Sequence, residues 1–218
     1  LHIIDSAKPL NAGEARNVGA QDCGNRILLF VDADVLVHAD TFVALTAPIR
    51  QGIADATVGN YATDVYGNAF YQKYKKLYIH QAYAREGFIT NEFWTAIAAI
   101  HGNVFHAVGA FSTTFAFKGG EDTEIGMRIT NSGFRIYAVA TAQGSHLKTF
   151  TFSSLVENDF IKGTRTVVLA LQRKTPLSEN RHAKKFAIRA NNVRKKQLHF
   201  CYKIENDKIP DNTNLSSR

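Results

Sequence analysis

Cysteine is scarce in this chain: Cys23 and Cys201 are its two thiols, far apart and in no paired spacing. That excludes a cysteine-rich zinc site, argues against a disulfide scaffold, and fits a reducing, cytosolic compartment. No run of eighteen apolar residues occurs, so the stretch holds no membrane-spanning helix. No charged-then-apolar signal opens it. An opening methionine is missing as well: Leu1 starts directly on what reads as a strand, and the expectation is that a further segment precedes it. Internal repeats and low-complexity tracts are also lacking. What is present is 218 residues, 45% of them hydrophobic and 11% aromatic, enough for one α/β domain or one domain with an appendage.

The formal net charge of +7 is unevenly spread. Residues 173–203 hold ten Lys/Arg against one acid, Glu179, whereas residues 1–172 hold fourteen Lys/Arg against fifteen acids. The basicity therefore belongs to a tail that carries Arg181, Lys184, Lys185, Arg189, Arg194, Lys195 and Lys196. Such a stripe suits anionic lipid head groups, or it is a solvated extension. A nucleic-acid groove is disfavoured because the tail lacks interleaved aromatic residues. The organisation expected is a core over 1–150 followed by helices and the basic tail over 151–218.

Periodicity and punctuation predict alternating strands and helices. Strands are expected at 1–5, 26–31, 55–61, 95–100 and 134–140. Helices are expected at 12–23 with Asn11 as N-cap, 41–50 with Asp40 as cap, 69–85, 103–108, and 121–131 with Gly133 as its left-handed stop. Over 153–173 the pattern gives a helix pair, or one helix disturbed at Gly163. The alternation implies a mostly parallel α/β sheet, whose ligands sit beyond the carboxyl ends of its strands.

Four constellations can carry chemistry. Asp32-Ala33-Asp34 closes the apolar run Ile27–Val31. Residues i and i+2 of a strand point the same way, so both carboxylates can face one hard cation, Mg²⁺ or Mn²⁺, which takes oxygen ligands and substrate phosphates. A solvated turn is the competing reading. Glu121-Asp122-Thr123-Glu124 opens a helix behind Gly119-Gly120. Acids there serve the helix dipole in most proteins, or else Asp122 is a general base with Glu121 beside it. His146, after a strand and a turn containing Gly144, is a candidate metal ligand or a loop histidine. Finally, Asn11–Ala20 is a small-residue helix in which Gly13 permits close approach of a nucleotide-sugar ligand and Arg16 can pair with its diphosphate, or else the helix packs tightly on the sheet with Arg16 in a surface ion pair. His101 and His106 are weaker pocket candidates. Phe88, Phe93 and Trp94 can stack on a sugar face or fill the core.

Read in order, these elements resemble the family 2 glycosyltransferases of the GT-A fold. Asn11–Ala20 is similar to that family's N-x-G-x-x-x-A-R-N-x-G stretch, one position short near the first glycine. Leu28–Asp34 is similar to its strand ending in D-x-D, and Asn103–Phe111 to the segment before the acceptor site. Gly120–Ile129 resembles its E-D motif and following helix, and His146 the histidine after the next strand. The likeness covers residues 1–160.

The resemblance implies an α/β, Rossmann-like, mostly parallel sheet flanked by helices. It also implies inverting transfer of a sugar from a nucleoside-diphosphate sugar to a saccharide or lipid-linked acceptor. Asp122 would be the base, Asp32 near the ribose and metal, Asp34 on the Mg²⁺ or Mn²⁺, and His146 near metal and diphosphate. The family's opening strand–helix–strand unit, with P-x-Y-N-E and D-D-G-S-like motifs, has no counterpart here, about sixty residues by domain size. The alternative is therefore a non-catalytic remnant or sugar-nucleotide-binding domain of the same fold. Residues 149–173 resemble the post-catalytic helices of membrane-associated members. Their apolar residues and the basic tail suit docking of a cytoplasmic protein on the inner face of the plasma membrane, or else they form an ordinary amphipathic helix packed on the domain.

Overall fold

The computed structural model describes residues 9–63, 70–84, 86–89, 92–113 and 120–172. The chain divides into units 1–175 and 176–218, and every described residue lies in the first. The expected strand at 1–5, the basic tail and Cys201 lie outside the described residues.

Local sequence chemistry sets the helices. Helix α1 (Ala12–Gly19) starts in a complete capping box: the Glu14 amide donates to Asn11 Oδ1 at 2.9 Å and the Asn11 amide to Glu14 Oε2 at 2.9 Å. It ends at Gly19, short of the expected Cys23, and the chain then turns through Gly24 at φ +54°. The first strand, β1 (Ile27–Val31), runs into a turn and then β2 (Val35–Val37). Helix α2 (Thr41–Arg50) has its expected bounds, although the Asp40 side chain makes no capping bond. Strand β3 (Ala56–Tyr61), helix α3 (Phe70–Tyr83), strand β4 (Gly87–Ile89), strand β5 (Ile97–His101) and helix α4 (Gly102–Ala107) follow. Helix α5 (Glu121–Asn131) also has its expected bounds and is followed by Gly133 at φ +83°. Strand β6 (Ile136–His146) precedes helix α6 (Phe152–Gln172), a single helix through Gly163.

The sheet has the order β1-β5-β3-β6-β2, with β4 also on β6. Strand β6 is the spine. It lies along β3 on one side, and on the other it pairs with β4 at Ile136–Ala138 and with β2 at Gly144–His146. The α/β, GT-A-like layering with flanking helices matches expectation, but the mostly parallel pairing is corrected: among the described residues β3–β6 is the one parallel pair. Nor is β1 a central parallel strand there. It ends the sheet order, antiparallel to β5.

Strand β1 leaves Leu29 and Val31 exposed, whereas β5 is buried on both faces and so hides the direction of its neighbours. Along β5, Ala98 and Ile100 enter one core with Phe30, Phe93, Phe105 and Phe111. Ile97 and Ala99 enter another with Leu45, Ile49 and Val139. A strand covered twice reads as a continuous apolar run whichever way its neighbour runs. Gly59 marks a register shift in β3 and has no space for a side chain: a Cβ there would meet the Ala142 carbonyl at 2.4 Å.

Candidate functional site

The candidate residues gather where β1 ends, β6 ends and α5 begins. The amide of Asp32 still donates to Ala96 O at 3.2 Å, but its carbonyl accepts from Val35 N at 3.0 Å. Asp32 and Asp34 therefore sit on a tight turn between β1 and β2, and the strand argument for a shared face is corrected. Each carboxylate takes its own partner. Arg16 donates from Nη2 to Asp32 at 2.9 Å and from Nη1 to Glu121 at 2.9 Å. Asp34 Oδ2 lies 3.3 Å from His146 Nε2. His146 is the last residue of β6, not a residue beyond a turn, and Gly144 is a strand residue with Val35, Ile97 and Leu36 packed against it.

Ladder pairing explains this second contact. Val35 is opposite His146, so Asp34 lies one residue before the rung that carries the imidazole. Leu147 N donates to Asp34 O at 2.8 Å and closes the corner. Burial pushes His146 below the ordinary imidazole value, with the Asp34 charge opposing and Lys148 assisting. The neutral ring that results has a nitrogen lone pair for a cation. It stacks on the Tyr61 ring at 4.8 Å and 22°.

Tyr61 was not anticipated from sequence. It ends β3, is 3% exposed, and its phenol is pushed upward by burial and then by the charges of Asp32 and Asp34. It therefore stays protonated among the carboxylates. No motif marks it, because its position depends on β3 and β6 lying side by side. Trp94, edge-on to Tyr61 at 4.5 Å and stacked on Tyr83 at 4.8 Å, backs that ring.

At the start of α5, Asp122 is raised to about 6, chiefly by burial and then by Glu121 and Glu92. The Thr123 amide, donating at 2.8 Å, and the Lys162 charge pull the other way. Gly126 brings α5 against residues 92–93: a Cβ there would lie 2.5 Å from Phe93 N. That close approach sets Glu92 beside Asp122. Lys162 acts on both Asp122 and His146, which places α6 along the same region. Lys162 and Glu92 carry no sequence signal of their own.

Arg16 thus links the turn bearing Asp32 to the helix bearing Asp122, and Tyr61 lies near Asp32 and Asp34. Gly13 is buried, with its missing Cβ aimed at Phe111 Cβ 3.2 Å away, so its smallness serves packing. His101 caps α4 through Nδ1 and His106 Nε2 lies 3.1 Å from Cys23 Sγ; both are engaged elsewhere. Phe93 is fully buried core and Phe88 is exposed. Among the described residues no group of three His, Cys, Asp or Glu side chains converges on one point. Asp34 and His146 still provide one oxygen and one nitrogen, a set that suits a hard or borderline divalent cation completed by water and phosphate.

A family model described as "Glycosyltransferase like family 2" matches residues 5–164. No curated protein matches the chain. Among solved structures, the fold is similar to the mannosyltransferase PcManGT from Pyrobaculum calidifontis in complex with GDP-Man and Mn²⁺. Identity there is 13%, the TM-score 0.53, and the match covers 88% of this chain and 63% of that one. Similarity also extends to GalNAc-T7 with UDP, GalNAc and Mn²⁺, at 16% identity, TM-score 0.49, 71% of this chain and 37% of that one. S. aureus TarS with UDP-GlcNAc matches at 13% identity, TM-score 0.46, 73% of this chain and 47% of that one. The chain thus spans less than two thirds of each of these structures.

Proposed function

The chain belongs to the glycosyltransferase-like family 2, and from that premise we propose that it moves a sugar from a nucleoside-diphosphate sugar to an acceptor hydroxyl, with inversion and with Asp122 as general base. The observation that carries this reading is a buried carboxyl raised to about 6, joined through Glu121 and Arg16 to the turn that holds Asp32 and Asp34. A base with that affinity is largely ionised at neutral pH and still basic enough to take a proton from an attacking hydroxyl.

The residues divide the work. Asp122 receives the acceptor proton as the acceptor oxygen bonds to the anomeric carbon and the bond to the diphosphate breaks. Glu121 orients the acceptor. Arg16 and Asp32 hold the nucleotide-sugar, Arg16 facing its phosphates and Asp32 its ribose, while Gly13 lets α1 pack close enough to bring Arg16 there. Mg²⁺ or Mn²⁺ held by Asp34 and His146 would supply positive charge against the departing diphosphate. Tyr61 keeps the His146 ring in place by stacking.

The PcManGT complex with GDP-Man and Mn²⁺ supports a nucleotide-sugar and a divalent cation as ligands of this fold. Contact with an anionic membrane face is part of the same reading. Its support is the basic tail together with Phe152, Val156 and Phe160, which form an exposed stripe along α6 at four-residue spacing. Among the described residues no helix is long and apolar enough to cross a membrane.

The test is turnover of UDP- and GDP-sugars with and without Mn²⁺, for the parent and Asp122→Asn. Cation-dependent release of the nucleoside diphosphate, lost in the variant while donor binding stays within about twofold, is the expected result. Undiminished turnover in Asp122→Asn overturns the base assignment. Binding without turnover in the parent means a sugar-nucleotide-binding domain instead.

A further inference from the structure

Arg128 lies two turns along α5 from the acidic pair and touches none of the candidate residues directly. Its guanidinium nevertheless reaches two places at once. Nε donates to both Glu124 oxygens at 3.0 Å, and Nη2 donates to Glu124 Oε2 at 2.6 Å and to the Ala110 carbonyl at 2.6 Å. Nη1 donates to the Val108 carbonyl. The two carbonyls flank Gly109, which terminates α4 at φ +81°, as glycine commonly does. Ala110 then adopts φ +54°, the one non-glycine residue at positive φ among those described. A Cβ is disfavoured in that region, and such strain persists where surrounding contacts over-determine it.

The strained residue delivers Phe111. Asn17 holds the Phe111 backbone from both sides, its Oδ1 accepting from the amide at 2.9 Å and its Nδ2 donating to the carbonyl at 2.8 Å. The Phe111 ring is 2% exposed, packs on Phe30 and Phe105 at 5.6 Å each, and lies 5.6 Å beneath the Arg16 guanidinium. Arg16 is the group that ties Asp32 to Glu121. The contacts close a circuit from Glu121 through Arg16, Phe111, Ala110 and Arg128 back into α5.

We propose that Arg128 is a positioning residue: by clamping the Val108–Ala110 turn it holds the Phe111 platform on which Arg16 bridges the donor-side and acceptor-side carboxylates. The catalytic meaning of that bridge rests on the function proposed above; the clamp itself does not. A lysine at 128 keeps the charge opposite Glu124 but lacks the planar fork that reaches both carbonyls. The turn then relaxes and Arg16 loses its seat.

The experiment places 4-fluorophenylalanine at position 111 of the full chain and follows its single fluorine resonance in the parent, Arg16→Gln, Arg128→Lys and the double variant. Turnover is measured on the same four sequences without the label. We expect the line to move and broaden in both single variants. We further expect kcat/KM to fall about 10- to 100-fold in Arg128→Lys, with little additional loss when it is combined with Arg16→Gln. An unmoved line in Arg128→Lys overturns the proposal, and so do fully additive losses. If Arg128→Lys does not fold, the pair Glu124→Gln/Arg128→Met removes both charges together, and the same readouts decide. A parent without turnover defeats the transferase reading, while the fluorine line still decides the clamp.

Discussion

The two ends of the site answer burial in opposite directions. At the α5 end the protein interior raises the Asp122 carboxyl to about 6; at the β6 end it lowers the His146 imidazole. Both shifts favour the uncharged form, because moving a charge out of water is costly whatever its sign. Proximity to opposite charge differs, however. Asp32 and Glu121 share the permanent cation of Arg16, whereas Asp34 faces a ring that is neutral near pH 7. At the first end a fixed protein cation faces the carboxylates. The second leaves a carboxylate without a fixed countercharge in its nearest pair, the condition under which a divalent ion is attracted.

Breaking the α5 end should have the largest effect. Asp122→Asn is expected to lower turnover by about 10²–10⁴-fold, read as nucleoside-diphosphate release at pH 7.5. In the parent, kcat/KM should rise through pH about 6 and level off above it, because the proton-accepting form is the ionised one.

Breaking the other end should be next in size. His146→Ala is expected to weaken Mn²⁺ binding about 10- to 100-fold, measured by titration calorimetry with the nucleoside diphosphate present. The same variant should leave the pH midpoint of an Asp122 carbonyl-carbon NMR titration in place. Movement of that midpoint would show the two ends to be one coupled unit.

Burial of Asp122 also leaves its mark on stability. The folded Asp122 value lies above its ordinary 3.8, so between pH 4 and 6 the native state holds a proton that the unfolded state releases. The contribution is complete in the protonated form and is lost as pH climbs through about 6. Asp122→Asn should therefore be more stable than the parent at pH 8 by about 1–3 kcal/mol and equal to it near pH 4, by urea denaturation. The smallest expected effect is Tyr61→Leu, which removes the stack on His146 and should cost about 0.5–1.5 kcal/mol beyond lost area. It should also let the His146 value drift toward the ordinary one, visible in the ring-carbon proton titration.

Local chemistry was legible in the sequence and pairing was not. Asn11 and Glu14 form their box from residues three apart, and Gly133 ends α5 through its own backbone freedom; such signals need no partner. Strands β2 and β4 have three residues each, and β6 runs on to His146 past a glycine that reads as a turn until Val35 and Leu36 are seen packed against it. The pairing of Asp34 with His146 spans more than a hundred positions. Tyr61 gave no sign at all, since its place depends on two strands meeting side by side. The roles assigned to Asp32, Asp34, Asp122 and His146 rest on the resemblance and on this geometry together.

The three-rung ladder that sets Val35 opposite His146, Leu36 opposite Ser145 and Val37 opposite Gly144 also acts as a ruler. One residue inserted into β6 between Gln143 and His146 would turn the imidazole to the far face of the sheet. Lengthening the connection after Val37, by contrast, adds chain outside the measured interval. The connection after Val37 can thus change in length, provided the count along that short ladder is kept.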